Sequence, residues 1–97
     1  MVQILILFSH ESDLVKAEQL FNKLKPYENE CAVHTVKTKI EYTCKSEHKI
    51  VRLIRFGERS MMGRRADILY VPEDFDVQEY RSLIYPCINS GGTIFTY

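Results

Sequence analysis

Long apolar runs are missing from this chain. The longest, Ile4 to Phe8, is five residues, against the ~20 needed to cross a bilayer as a helix. No basic segment precedes it and no small-residue cleavage pattern follows, so it is expected to be a buried strand and neither a signal peptide nor a membrane anchor. Cysteine is scarce: Cys31, Cys44 and Cys87 make an odd number at wide spacing. A disulfide framework uses an even, denser set, so the expectation is free thiols and a cytoplasmic location. No Cys-x-x-Cys pair is present, and Cys31, His34, Cys44 and His48 lie along what reads as extended chain, where neighbouring side chains point alternate ways, so no metal site is expected. Four glycines and three prolines are too few for a low-complexity linker. One domain, residues 1–97, with one core is the expectation at this length. Its 45% hydrophobic content is too high for a disordered chain.

What is present is a set of clear periodicities. Val2 to Phe8 is a near-continuous aliphatic stretch, as in a central strand covered on both faces. Ser9 to Ser12 offer polar cap positions, Asp13 suits the positive end of a helix dipole, and Leu14, Ala17, Leu20 or Phe21 and Leu24 form a helical stripe ended by Pro26. From Ala32 to Cys44 the pattern alternates with period two, predicting a strand with one wet face. Ser46 to His48 make a turn, and Lys49 to Phe56 return as its hairpin partner. Residues 57–65 read as an exposed, flexible loop. Ala66 to Val71 is a strand cut off by Pro72. Asp76 and Glu79 have the capping-box spacing and predict a second helix with the stripe Val77, Tyr80, Leu83, Ile84 and Cys87. Thr93 to Tyr97 form a last strand. The sum is an α/β (or α+β) fold: a mixed sheet of about five strands with two helices, in the order β-α-β-β-β-α-β.

Net charge is also absent, with 13 basic and 13 acidic residues, but its distribution is uneven. Residues 37–65 hold nine Lys and Arg against three acids, while the segments on either side are both net acidic. A basic segment in an otherwise acidic chain predicts a contact surface for phosphates or an acidic partner. The candidate binding residues are Lys37, Lys39 and Lys45 on the hairpin, with Arg59, Met61, Met62, Arg64 and Arg65 on the loop. Arginines next to paired methionines suit a surface that adapts to a partner. Lysines on an exposed strand also protect an edge from unwanted pairing.

Residues 62–74, MGRRADILYVPED, followed by the Gly91-Gly92-Thr93 strand, resemble the Walker B region of phage terminase large subunits and related P-loop ATPases. The resemblance covers about residues 53–97. It implies that Glu73 stands at the catalytic glutamate position, but Pro72 stands where the magnesium-directing Asp belongs. The turn after the first strand, Ser9 to Asp13, has no GxxxxGK[ST] phosphate loop. By this resemblance the chain is a degenerate relative without nucleotide hydrolysis.

Other catalytic constellations are equally incomplete. Ser9, His10 and Glu11 are adjacent in a turn and point in different directions. Asp67, Glu73 and Asp74 are the carboxylates from which a small Mg²⁺- or nucleotide-dependent nuclease or NTPase would be built, and that reading requires Asp67 and Glu73 to share a cleft. The expectation is a non-catalytic binding protein, of the regulator or inhibitor kind that phages and mobile elements encode. It would need no cofactor and no membrane, and would contact an acidic protein or nucleic acid through residues 37–65. The apolar strand Thr93 to Tyr97 adds a route to a homodimer.

Overall fold

Burial of the first strand on both faces organises the chain. The computed structural model describes residues 1–25 and 41–97. Within them, β1 (Val2–Phe8) lies in the middle of a five-stranded sheet. On one side it pairs in parallel with β3 (Lys49–Arg55), from Val2 opposite Lys49 to Phe8 opposite Arg55. On the other it pairs in parallel with β4 (Ala66–Val71), Ile4 facing Ile68 and Ile6 facing Tyr70. The hairpin strand β2 (Glu41–Lys45) adds antiparallel to β3, and β5 (Ile88–Thr96) adds parallel to β4. The order is β2-β3-β1-β4-β5. Leu5, Ile6, Leu7 and Phe8 are almost wholly buried, as a near-continuous aliphatic run must be when helices lie on both faces.

Alternation along β1 divides two cores. Ile4, Ile6 and Phe8 meet Val51, Leu53 and Cys44 under α1 (Glu11–Leu24), whose Ala17 and Phe21 face the sheet. Leu5 and Leu7 meet Ile54, Leu69, Val71, Ile84 and Cys87 on the opposite face. The helix α1 starts where the cap residues place it, with the Asp13 carboxylate accepting from the His10 backbone N–H at 3.2 Å. It ends at Leu24, before the proline. Of the described residues, no helix is long and apolar enough to cross a membrane.

The mixed-sheet class is as expected, with differences at the short elements. Among the described residues three helices are found rather than two. An additional turn, α2 (Glu58–Met61), falls inside the stretch read as a flexible loop. The expected second helix shrinks to α3 (Arg81–Ile84), followed by a 3-10 turn at Tyr85–Cys87. Asp76 does cap, accepting from the Glu79 N–H at 3.1 Å, but it caps a turn. Phe75 and Tyr80 turn inward onto Phe56, with ring centroids 4.9 Å apart in each pair. That aromatic cluster replaces the first turns of the helix as cover for the sheet. The strand expected at residues 32–44 is seen from Glu41, and its earlier part lies outside the described residues.

The strand β5 begins five residues earlier than expected because it contains a bulge. Its register with β4 shifts between Ala66–Ile88 and Ile68–Thr93. Gly91 takes a positive φ there, and a Cβ on Gly92 would sit 2.6 Å from the Ile88 side chain and 2.9 Å from the Asn89 and Asp67 carbonyl oxygens. Two of those three neighbours are backbone and do not yield. Gly92→Ala should therefore lower unfolding stability by about 1–3 kcal/mol in chemical denaturation.

One cysteine expectation is corrected. Cys87 is a free, buried thiol, but Cys44 is disulfide-bonded. The spacing argument against disulfides gave no weight to closure of a single loop, which stabilises a chain by restricting its unfolded state. The free-thiol argument for a cytoplasmic location therefore fails at Cys44. Thiol titration of the unfolded chain should return more thiols after reduction than before it.

Candidate functional site: an arginine-lined pocket

The crossover from β3 to β4 is only ten residues, Phe56 to Arg65, and it runs over the face opposite α1. Its backbone is pinned throughout. The Phe56 N–H donates to the Phe8 carbonyl at 2.7 Å, and the Ser60 hydroxyl donates to the Arg55 and Gly57 carbonyls at 2.8 and 2.9 Å. Gly63, at φ 73°, turns the chain back toward the start of β4 in a conformation that other residues adopt at a cost. A single helical turn cannot cover the whole sheet face, so a pocket of about 450 Å³ remains between the loop and the strands.

Arginines line this pocket. Val51 and Leu53 point into the core under α1, so strand alternation sends Arg52 to the opposite face, where it meets Arg59, Arg64 and Arg65, with Gln3 at the pocket edge. Only Arg64 has an acidic partner among the described residues: its Nη2 lies 3.0 Å from Glu41 Oε1, with both side chains about four-fifths buried. Its Nε donates to the Ser60 carbonyl at 3.0 Å. Arg65 Nη1 donates to the Pro86 carbonyl at 3.1 Å and keeps its full charge. The side chains of Arg52, half-buried, and Arg59, exposed, make no hydrogen bond or ion pair with any described residue. A partly buried guanidinium is ordinarily paired, because its desolvation is otherwise uncompensated. The pocket thus presents three unneutralised cations, suited to phosphate or carboxylate oxygens.

The structure brings four of the expected binding residues together here: Arg59, Met62, Arg64 and Arg65. Met62 is 75% exposed, while Met61 is 2% exposed and belongs to the core. Successive residues at the end of one helical turn face opposite ways, so the methionine pair does not act as one patch. Lys45 is exposed at the end of β2, outside the pocket lining. Lys37 and Lys39 lie outside the described residues. The basic loop forms one wall of the pocket and is hydrogen-bonded to β3 and within itself. Arg52 and Gln3 were not among the expected residues. The signal for Arg52 is present in the sequence: it is the one charge inside the apolar run from Ile50 to Ile54.

The carboxylates expected for an enzyme do not share a cleft. Asp67 stands near the start of β4, where its Oδ2 accepts from the Gln3 N–H at 2.8 Å and its Oδ1 from the Asn89 side-chain amide at 3.0 Å. Glu73 lies beyond the other end of the strand, and six residues of strand span roughly 20 Å. Glu73 and Asp74 instead border a separate crevice of about 390 Å³ with Asp13, Lys16 and Tyr97. The Tyr97 hydroxyl donates to the Leu7 carbonyl, and burial raises its phenol above the ordinary tyrosine range. Among the described residues, no three His, Cys, Asp or Glu side chains are grouped so as to hold a metal ion. Ser9, His10 and Glu11 form no relay: His10 caps α1, and Glu11 faces Arg55 at 3.4 Å.

Asp67 is a tie between strands. Its hydrogen bonds to Asn89 and to the Gln3 backbone hold its carboxyl below the usual aspartate range. A depressed carboxyl pKa contributes stability that is present above the unfolded-state value and is lost as pH falls through the folded-state value. Asp67→Asn should therefore be less stable than the parent at neutral pH, and the gap should narrow in denaturation measured at acid pH. Compared with known proteins, the chain matches no family model, no curated protein and no solved structure.

Proposed function

We propose that this chain is a non-catalytic binding protein that holds the phosphate backbone of a nucleic acid against its arginine pocket. The observation that carries the reading is Arg52: a half-buried guanidinium without a partner among the described residues, set beside Arg59, Arg64 and Arg65 in one concavity. Arginine is the side chain whose planar fork matches phosphate oxygens two at a time. No aromatic residue is among those lining the pocket, so bases have no platform for stacking. Contact through phosphates alone positions a strand without reading its sequence. The separation of Asp67 from Glu73 and Asp74 argues against the alternative of a Mg²⁺-dependent nuclease or NTPase, since phosphoryl transfer needs its charges on one reacting group.

Fluorescence anisotropy of labelled single- and double-stranded oligonucleotides tests the reading. Three phosphate contacts predict that raising salt from about 50 to about 200 mM weakens duplex binding roughly forty-fold and single-strand binding about twenty-fold. Arg52→Ala combined with Arg59→Ala should bind more weakly and lose most of that salt dependence while keeping the parent's thermal stability. Absence of binding at the lower salt overturns the nucleic-acid reading, and binding of polyglutamate under the same conditions would assign the pocket to an acidic protein segment.

A further inference from the structure

A second cavity adjoins the arginine pocket, and we propose that it receives one unpaired base of the strand whose phosphates the arginines hold. The inference rests on the nucleic-acid reading above and adds to it a preference for single strands. Met62, Gly63, Arg64 and Arg65 line both cavities, so this four-residue stretch is a wall common to the two. The second cavity measures about 300 Å³, the size of a small-ligand site. Its remaining lining is Met61, Leu83, Pro86 and Cys87, with the exposed Ser82.

The two cavities differ in chemistry. One is lined by guanidinium groups, whereas the lining of the other is largely apolar and includes no Asp or Glu. Met61 and Cys87 are buried, and the Cys87 thiol lies 3.3 Å from the Met61 and Leu83 carbonyls that can accept from it. Burial raises that thiol above its ordinary range even with Arg65 and Arg64 nearby, so it stays uncharged. Met62, 75% exposed, gives the common wall a flexible thioether that adapts to a flat ring. Arg65 belongs to both cavities. Its Nη1 donates to the Pro86 carbonyl at 3.1 Å, which ties one edge of the guanidinium plane. The rest of that plane has N–H groups for phosphate oxygens and a face on which a base can stack.

An anion joined to a flat, mostly apolar ring matches two such cavities on either side of one wall. Each nucleotide of a strand supplies that pair, with the base one sugar away from its phosphate. In a duplex the base is paired and stacked, and reaching the cavity would cost its unstacking. In a single strand it turns outward and lies against apolar or guanidinium surface. An acidic peptide would satisfy the arginines but carries no ring at each anionic position.

Fluorescence anisotropy of the full chain at about 50 mM salt, with three labelled probes of equal length, tests the proposal. The probes are single-stranded oligothymidine, a strand of abasic tetrahydrofuran residues with the same phosphates, and a duplex. Oligothymidine should bind at least about fivefold more tightly than either of the others. Arg65→Lys keeps the charge and removes the plane, so it should weaken oligothymidine binding more than abasic binding. The Met61 methyl lines the second cavity and not the arginine pocket. In methyl NMR of the parent chain, oligothymidine should shift that signal through the ring current of the base, and the abasic strand should not. Equal binding of oligothymidine and the abasic strand, or of oligothymidine and the duplex, overturns this inference and leaves the nucleic-acid reading intact. Absence of binding by all three probes overturns both.

Discussion

The whole arrangement depends on covering both faces of β1. A strand that is aliphatic on both sides has to be sandwiched, and every other element is placed by that requirement. On one face the cover is a 14-residue helix with a full apolar stripe. On the other it is assembled from small pieces: a single turn at Glu58–Met61, the Phe56–Phe75–Tyr80 aromatic cluster, and the short α3. The first cover is continuous over β1 and β3, and the second leaves gaps. The arginine pocket is one of those gaps, so the candidate site follows from an uneven division of labour between the two faces.

This origin explains the electrostatics. Where α1 lies, the facing side chains of β3 are Val51 and Leu53; where the cover stops short, the same strand presents Arg52. The loop that forms the other wall carries Arg59, Arg64 and Arg65, and its shape is set by Ser60, Gly63 and the Glu41–Arg64 pair rather than by apolar packing. Glu41 neutralises one guanidinium and anchors the loop to β2. The remaining cations share one concavity with no described carboxylate to quench them. Asp67 accepts hydrogen bonds from β1 and β5 with its two carboxylate oxygens and so joins three strands.

The two ends of the sheet are protected to different degrees. The edge at β2 carries charge, whereas the edge at β5 is neutral, β-forming and bordered by an exposed aromatic. The glycine bulge at 91–92 confines the regular pairing of β5 with β4 to the last residues of β5.

Much of this was legible in the residues alone. Aliphatic continuity identified β1 as central, the 3.6-residue stripe and Asp13 placed α1, and the charge census located the basic segment, because each is a local pattern that burial or solvation enforces. What local patterns do not carry is the length of cover each face receives. The capping spacing at Asp76 was real, yet packing of Phe75 and Tyr80 against Phe56 won over continuation of a helix, and adjacent methionines parted because one side of a helical turn met the core. Arg52 took its meaning from what lies opposite it across space, as did the separation of Asp67 from Glu73. By itself the sequence determined the class of fold, the central strand and the basic character of the crossover at residues 56–65. Only the tertiary structure decided which arginines share a pocket and which acids are kept apart, since both depend on which strand faces the short crossover leaves uncovered.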